Sequence, residues 1–177
     1  MLAEKFYRQR QSVDEWVETI ETKFSDIPFL DRPKNIKLIL GIDDDDELIK
    51  IRTASLIVYG KIFGVFSFED ACNKLKIKEP SFVNLTKSEI AGRKLKIIIK
   101  ALNNGWIPNW NDVNENKYFG RFRVKDGFSY WLTTADYLTN TAVPSALFLK
   151  NKELSYYCGL MFTYLYKDYL TSEEEYD

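Results

Sequence analysis

Histidine is absent from this chain of 177 residues, cysteine occurs twice, proline five times and glycine eight times. Without histidine there is no side chain poised to titrate near neutrality and none of the commonest zinc ligand, so most hydrolase and metalloenzyme readings lose their chemistry. Cys72 and Cys158 stand 86 positions apart, which offers neither a metal-ligand spacing nor a disulfide framework. Long apolar runs are missing too. The uncharged apolar run Thr53 to Gly60 falls far short of the roughly 20 residues a membrane span needs, and Met1 to Arg10 holds no apolar signal core. Charge of one sign is not in excess either, with 25 Lys+Arg against 26 Asp+Glu. The expectation is a soluble, cytosolic-like protein with reduced thiols that needs no metal or cofactor to fold.

What is present is an ordinary globular composition, 45% hydrophobic and 29% charged. A chain of this size buries roughly 70% of the surface its unfolded form exposes, enough for one good core or two small ones. Ser12-Val13-Asp14-Glu15 reads as a capping box, and Val13, Trp16, Val17, Ile20 and Phe24 recur at helical spacing up to Ile27-Pro28 and Arg32-Pro33. A second helix is predicted over about Asp46 to Phe63, apolar enough on several sides to be largely buried. Ser67-Phe68-Glu69-Asp70 starts a third, with Phe68, Ala71, Cys72 and Leu75 inward. Thr86-Lys87-Ser88-Glu89 is the clearest capping box and opens a fourth helix through Leu102, which Gly105 can close in the left-handed conformation.

After Gly105 the composition turns to tryptophans, alternating residues and turn signals, which predict strands. A loop from Ala135 to Pro144, a short strand from Ser145 to Lys150, and a last helix from about Lys152 to Leu170 follow. The pattern therefore predicts an α+β protein: a helical part over residues 1–104, then a small antiparallel β-β-β-α unit over residues 105–177. Phe162 and Leu165 of the last helix are expected against an apolar hairpin face of Phe122, Val124 and Tyr130. Cys72 and Cys158 both fall on apolar helix faces and read as core residues. The acidic run Asp43 to Glu47 precedes an apolar helix and reads as a cap rather than a cation site, since it lacks the alternation and central glycine of a calcium loop.

The hairpin around Lys125-Asp126-Gly127 is the most informative segment. A two-residue turn would put arginines on the same side as the partner strand's apolar residues. A three-residue loop with Gly127 left-handed instead pairs Val124 with Phe128 and Phe122 with Tyr130, leaving one face apolar. The other face then carries Arg123 opposite Ser129, Arg121 opposite Trp131 and Phe119 opposite Thr133. Residues 86–150 also hold the only basic excess, net +5, against −2 for residues 1–85 and −4 for residues 151–177. Rings stack on bases and guanidiniums meet phosphates, so Phe119, Arg121, Arg123, Lys125 and Trp131, with Trp106 and Trp110 beside them, form a candidate face for single-stranded nucleic acid. The structural alternative covers Trp131 and Phe119 with Trp106, Trp110 or the last helix and stacks Arg121 on Trp131. The tyrosines of the last helix surround it more fully than one buried stripe needs, which points some of them at a partner.

The motifs Phe68-Glu69-Asp70-Ala71-Cys72, Ala101-Leu102-Asn103-Asn104-Gly105-Trp106-Ile107-Pro108-Asn109-Trp110, Asn116-Lys117-Tyr118-Phe119, Lys152-Glu153-Leu154-Ser155-Tyr156-Tyr157-Cys158-Gly159 and Tyr166-Lys167-Asp168-Tyr169-Leu170 follow in that order. Over about residues 67–170 the chain thereby resembles a set of uncharacterised small proteins encoded by bacteriophages and mobile elements of gut Bacteroidetes. The resemblance implies a phage-like origin, in the host cytoplasm or the virion, and carries over no catalytic residue. The combined expectation is a non-enzymatic phage-type protein that binds single-stranded nucleic acid. The alternative is a virion-structural or assembly protein that contacts copies of itself or another phage protein.

Overall fold

Two reciprocal capping boxes and an acidic cap set the starts of three helices. In a computed structural model, which describes residues 12–26, 44–112, 114–123, 129–131 and 145–171, Ser12 Oγ accepts from the Glu15 N–H at 3.2 Å while Glu15 returns its carboxylate to the Ser12 N–H. Those bonds hold the Glu15 carboxyl below the usual range and open α1, Val13–Lys23. Asp44 Oδ1 accepts from the Asp46 N–H at 2.9 Å, and Asp45, Asp46 and Glu47 fill the first turn of α2, Asp45–Phe63, where the positive end of the helix dipole favours them. The acidic run therefore works as the cap its position predicts; Asp43 lies outside the described residues.

The chain divides into two compact units at Phe63/Gly64. In the first, α1 and α2 enclose a core of Trp16, Val17, Ile20, Ile51, Ala54 and Val58. The Trp16 indole N–H donates to the buried Glu47 carboxylate near the starts of both helices, and Lys61 pairs with Glu21 at 2.8 Å toward their ends. Such pairing rules out an antiparallel hairpin, so α1 and α2 run in the same general sense. The expectation that α2 is largely buried is corrected: Ile49 is 58% and Ile62 67% exposed, because only the Glu47, Ile51, Ala54, Ser55 and Val58 side faces the core. By length and composition alone the stretch Asp45–Leu75 could cross a membrane, although 39% of its most apolar window is buried and the chain turns at Gly64 (φ +63°).

The second unit holds α3 (Phe68–Leu75), α4 (Lys87–Asn103), two short strands, α5 (Lys152–Met161) and α6 (Thr163–Thr171). The Thr86 capping box is fully formed, and α4 ends in left-handed Asn104 (φ 49°) and Gly105 (φ 88°). Ala91, Gly92, Leu95, Ile98, Ile99 and Leu102 form its buried face. At Gly92 the helix touches α6 so closely that a Cβ would stand 2.9 Å from the Tyr169 ring. Ser88 Oγ donates to the Tyr169 carbonyl at 3.0 Å and Lys87 pairs with Asp168 at 3.0 Å, so one turn of α4 grips one turn of α6. Tyr157, fully buried, donates its hydroxyl to the Val65 carbonyl, and burial drives its pKa well above the usual value.

The α+β expectation is overturned: the described residues are predominantly helical and contain no β-β-β-α unit. Strands β1 (Arg121–Arg123) and β2 (Ser129–Trp131) are three residues each and form a narrow antiparallel ribbon rather than a layer. Their partners, Arg121 with Trp131, Phe122 with Tyr130 and Arg123 with Ser129, are those the side-chain pattern selects. The turn at residues 125–127 and the loop from Ala135 to Pro144 lie outside the described residues. The strand expected from Ser145 to Lys150 is instead a 3-10 turn, Ser145–Leu147, followed by one isolated bridge between Tyr118 and Leu149. The reason is Asn103. Its Nδ2 donates to the Phe148 carbonyl at 2.8 Å and its Oδ1 accepts from the Lys150 N–H at 3.1 Å, so one side-chain amide supplies the bonds that a neighbouring strand would.

The single last helix is likewise corrected to two. Thr163 Oγ1 donates to the Gly159 carbonyl at 2.6 Å and the Leu160 carbonyl at 3.0 Å, taking the acceptors at the end of α5, and the chain bends at Phe162. The expected break between residues 104 and 105 falls inside the second unit, because α4 packs on α6 and on the segment at Phe148.

Candidate functional site

Alternation along β1 decides what each residue faces. The Phe122 ring lies on Tyr166 of α6, with centroids 4.4 Å apart and 31° between planes, so Arg121 and Arg123 stand on the opposite side of the ribbon. The hairpin does pack on the last helix as expected, but through Tyr166. Phe162, although 1% exposed, sets its ring against Tyr157 at 6.4 Å, and Val124 lies outside the described residues.

On the outward side the Arg121 guanidinium lies 5.8 Å over the ring of Phe119, two residues before it in the chain, a cation–π contact. Arg123 is exposed and Arg121 partly so. Trp131 is placed by its backbone, directly across from Arg121. Lys125 lies outside the described residues.

The remaining predicted residues belong to a loop framework below this face. Phe148, fully buried, receives the Phe119 ring edge-to-face at 5.6 Å and the Trp110 ring at 5.4 Å, each at 78°. Phe119 is thus partly covered by Phe148. Trp106 is half-buried, and its indole N–H donates to Glu115 Oε2 at 3.2 Å. Glu115 Oε1 accepts from the Asn109 N–H at 2.7 Å and pairs with the Lys117 ammonium at 3.2 Å. Burial pushes the Glu115 carboxyl up, but the Asn109 N–H, the Lys117 ammonium and the Trp106 indole outweigh it and hold the group below the usual range. Lys117, 3% exposed, also donates to the Asp112 and Glu115 carbonyls and lies 5.4 Å over the Trp110 ring. The loop is therefore wound around one ion pair, its lysine buried and its glutamate half-buried, and it holds Ile107 (80% exposed) and Trp110 (40% exposed) at the surface.

Phe148, Glu115, Lys117 and Asn103 escaped the sequence reading. Asn103 and Phe148 meet 45 residues apart, Glu115 and Lys117 form no regular spacing pattern within their loop, and Phe148 reads as one residue of an apolar strand.

Neither thiol is poised for chemistry. Cys72 and Cys158 are buried and unbridged. Burial, followed by the Glu79 charge, raises the Cys72 thiol, and burial pushes Cys158 up to about 12 despite the Tyr166 hydroxyl 3.6 Å away. Among the described residues no group of three or more cysteine, aspartate or glutamate side chains could hold a metal ion.

Comparison with known protein families, curated proteins and solved structures gives no match for this chain. Its function has to be argued from the geometry.

Proposed function

We propose that the chain is a non-catalytic, phage-type binding protein that holds single-stranded nucleic acid on the outward face of its hairpin. The observation that carries this reading is the division of β1: Phe122 turned onto Tyr166, with Arg121 and Arg123 on the other side, Phe119 beneath the Arg121 guanidinium and Trp131 across from Arg121. Guanidiniums interleaved with rings on a small ribbon suit phosphates and bases without regard to sequence. Titration of a fluorescent oligothymidylate against the parent and Arg121→Ala at several salt concentrations tests it. Loss of one phosphate contact should flatten the slope of log K against log salt by about 0.7. An unchanged slope and affinity would remove Arg121 from the site.

The exposed Ile107 and Trp110, held on a loop fixed by Glu115 and Lys117, favour a second reading, a virion-structural or assembly protein. In that case the parent would self-assemble on a sizing column and bind no oligonucleotide, and Trp110→Ala would abolish the assembly.

A further inference from the structure

Lys96, Lys100 and Asn103 occur at i, i+4 and i+7 along α4, so they share one face of the helix, and Arg93 joins them three residues before Lys96. Arg93, Lys96 and Lys100 are all exposed, while Ala91, Leu95, Ile98 and Leu102 occupy the buried side. From Arg93 to Lys100 the helix rises about 10 Å.

Asn103 extends this row beyond the helix. Its side-chain oxygen holds the Lys150 N–H at 3.1 Å, which anchors Lys150 at the C-terminal end of the same face, about one turn from Lys100. Lys150 is exposed, and Lys74 at the end of α3 is near enough for the two ammonium groups to repel, since burial and then Lys150 lower the Lys74 pKa. Among the described residues no ion pair engages Arg93, Lys96, Lys100 or Lys150. Glu89, the acid at the far end of this face, is occupied by the Thr86 capping box.

The row also meets the hairpin. The antiparallel bridge between Tyr118 and Leu149 sets Phe119 across from Phe148 and Lys117 across from Lys150. Lys150 is therefore across from a residue four positions before Arg121, at most about 13 Å along the chain. The bridge and the Asn103 bond thus place Lys150 between the hairpin strand that carries Arg121 and the end of α4 that carries Lys100.

We infer that a single strand seated on the hairpin continues over Lys150 onto the outer face of α4, where Lys100, Lys96 and Arg93 meet its phosphates. A ligand that satisfies a row of cations must repeat its negative charge along its length, which is what a phosphate backbone does. The inference rests on the nucleic-acid reading above and extends that site.

Lys96→Gln/Lys100→Gln removes two charges from exposed positions without touching the core. Fluorescent oligothymidylates of about 6 and about 24 nucleotides, spanning the short and long ends of a binding groove, are titrated at several salt concentrations, with melting of the variant as a folding control. The long strand should lose two contacts, so its salt slope flattens by about 1.4, while the short strand, satisfied by the hairpin, keeps its affinity within about twofold. An unchanged long-strand slope in the double variant, with Arg121→Ala still weakening both strands, would overturn the inference and leave the hairpin reading standing. A parent that binds neither strand would overturn both. Weakening by the helix variant but not by Arg121→Ala would overturn the hairpin reading and, with it, the continuous path proposed here.

Discussion

Replacing Gly92 with alanine sets two well-measured effects against each other. Alanine in a helix interior is favoured over glycine by about 1 kcal/mol. The new Cβ, however, would stand 2.9 Å from both Cδ2 and Cε2 of Tyr169, and overpacking of that kind costs about 1–3 kcal/mol. The ring cannot withdraw cheaply. The Tyr169 carbonyl is held by Ser88 and the neighbouring Asp168 by Lys87, so sliding α6 away sacrifices both contacts. The clash should prevail, and Gly92→Ala should lower stability by about 1 kcal/mol in urea unfolding. In a Tyr169→Ala background the obstacle is gone, and the same Gly92→Ala change should then raise stability by about 0.5–1 kcal/mol. The reversal of sign is the signature of direct contact. Equal effects in both backgrounds would show that α4 and α6 do not meet at Gly92.

Three further outcomes follow from single groups. Asn103→Ala strands the buried Phe148 carbonyl and the more accessible Lys150 N–H, and should cost about 2 kcal/mol in denaturant unfolding, whereas an unchanged midpoint would deny the amide its strand-like role. Glu115 is lowered in the folded state, so its stabilising contribution is complete above the unfolded glutamate pKa of about 4.3 and is lost as pH falls through the lower folded value. Melting curves of the parent and Glu115→Gln should accordingly converge at acid pH, and a constant gap would contradict this. Cys158, buried and raised to about 12, should resist alkylation at pH 8 in the native protein and react promptly in urea, and rapid native labelling would refute its placement.

How much was legible in the sequence depends on whether a signal is local. The helices opened by Ser12, Ser67 and Thr86 begin where their capping residues place them, because a cap is a contact between residues three apart. The Asp-rich run was readable for the same reason. Register in the ribbon was also readable, since only one pairing keeps Phe122 and Tyr130 together and the arginines apart from them. Leu147-Phe148-Leu149 was misread because an apolar triplet looks alike in a strand and in a buried turn, and what distinguishes them is an amide 45 residues away on Asn103. Thr163 broke the last helix through its hydroxyl, which periodicity does not register. On the candidate face, the arginines of β1 stand opposite Phe122 as alternation predicts, whereas Glu115 and Lys117 look like ordinary loop charges until the fold winds the tryptophan loop around them.

The most direct test of the nucleic-acid reading is Trp131→Ala, followed by both single-strand affinity and melting temperature. The register pairs Trp131 with Arg121 across the ribbon. The account predicts that the parent binds a single-stranded oligonucleotide at low salt, that the variant loses about 1–3 kcal/mol of that affinity with its stacking partner, and that melting is unchanged. No affinity in the parent, together with a large melting drop in the variant, would contradict it and make Trp131 part of the core.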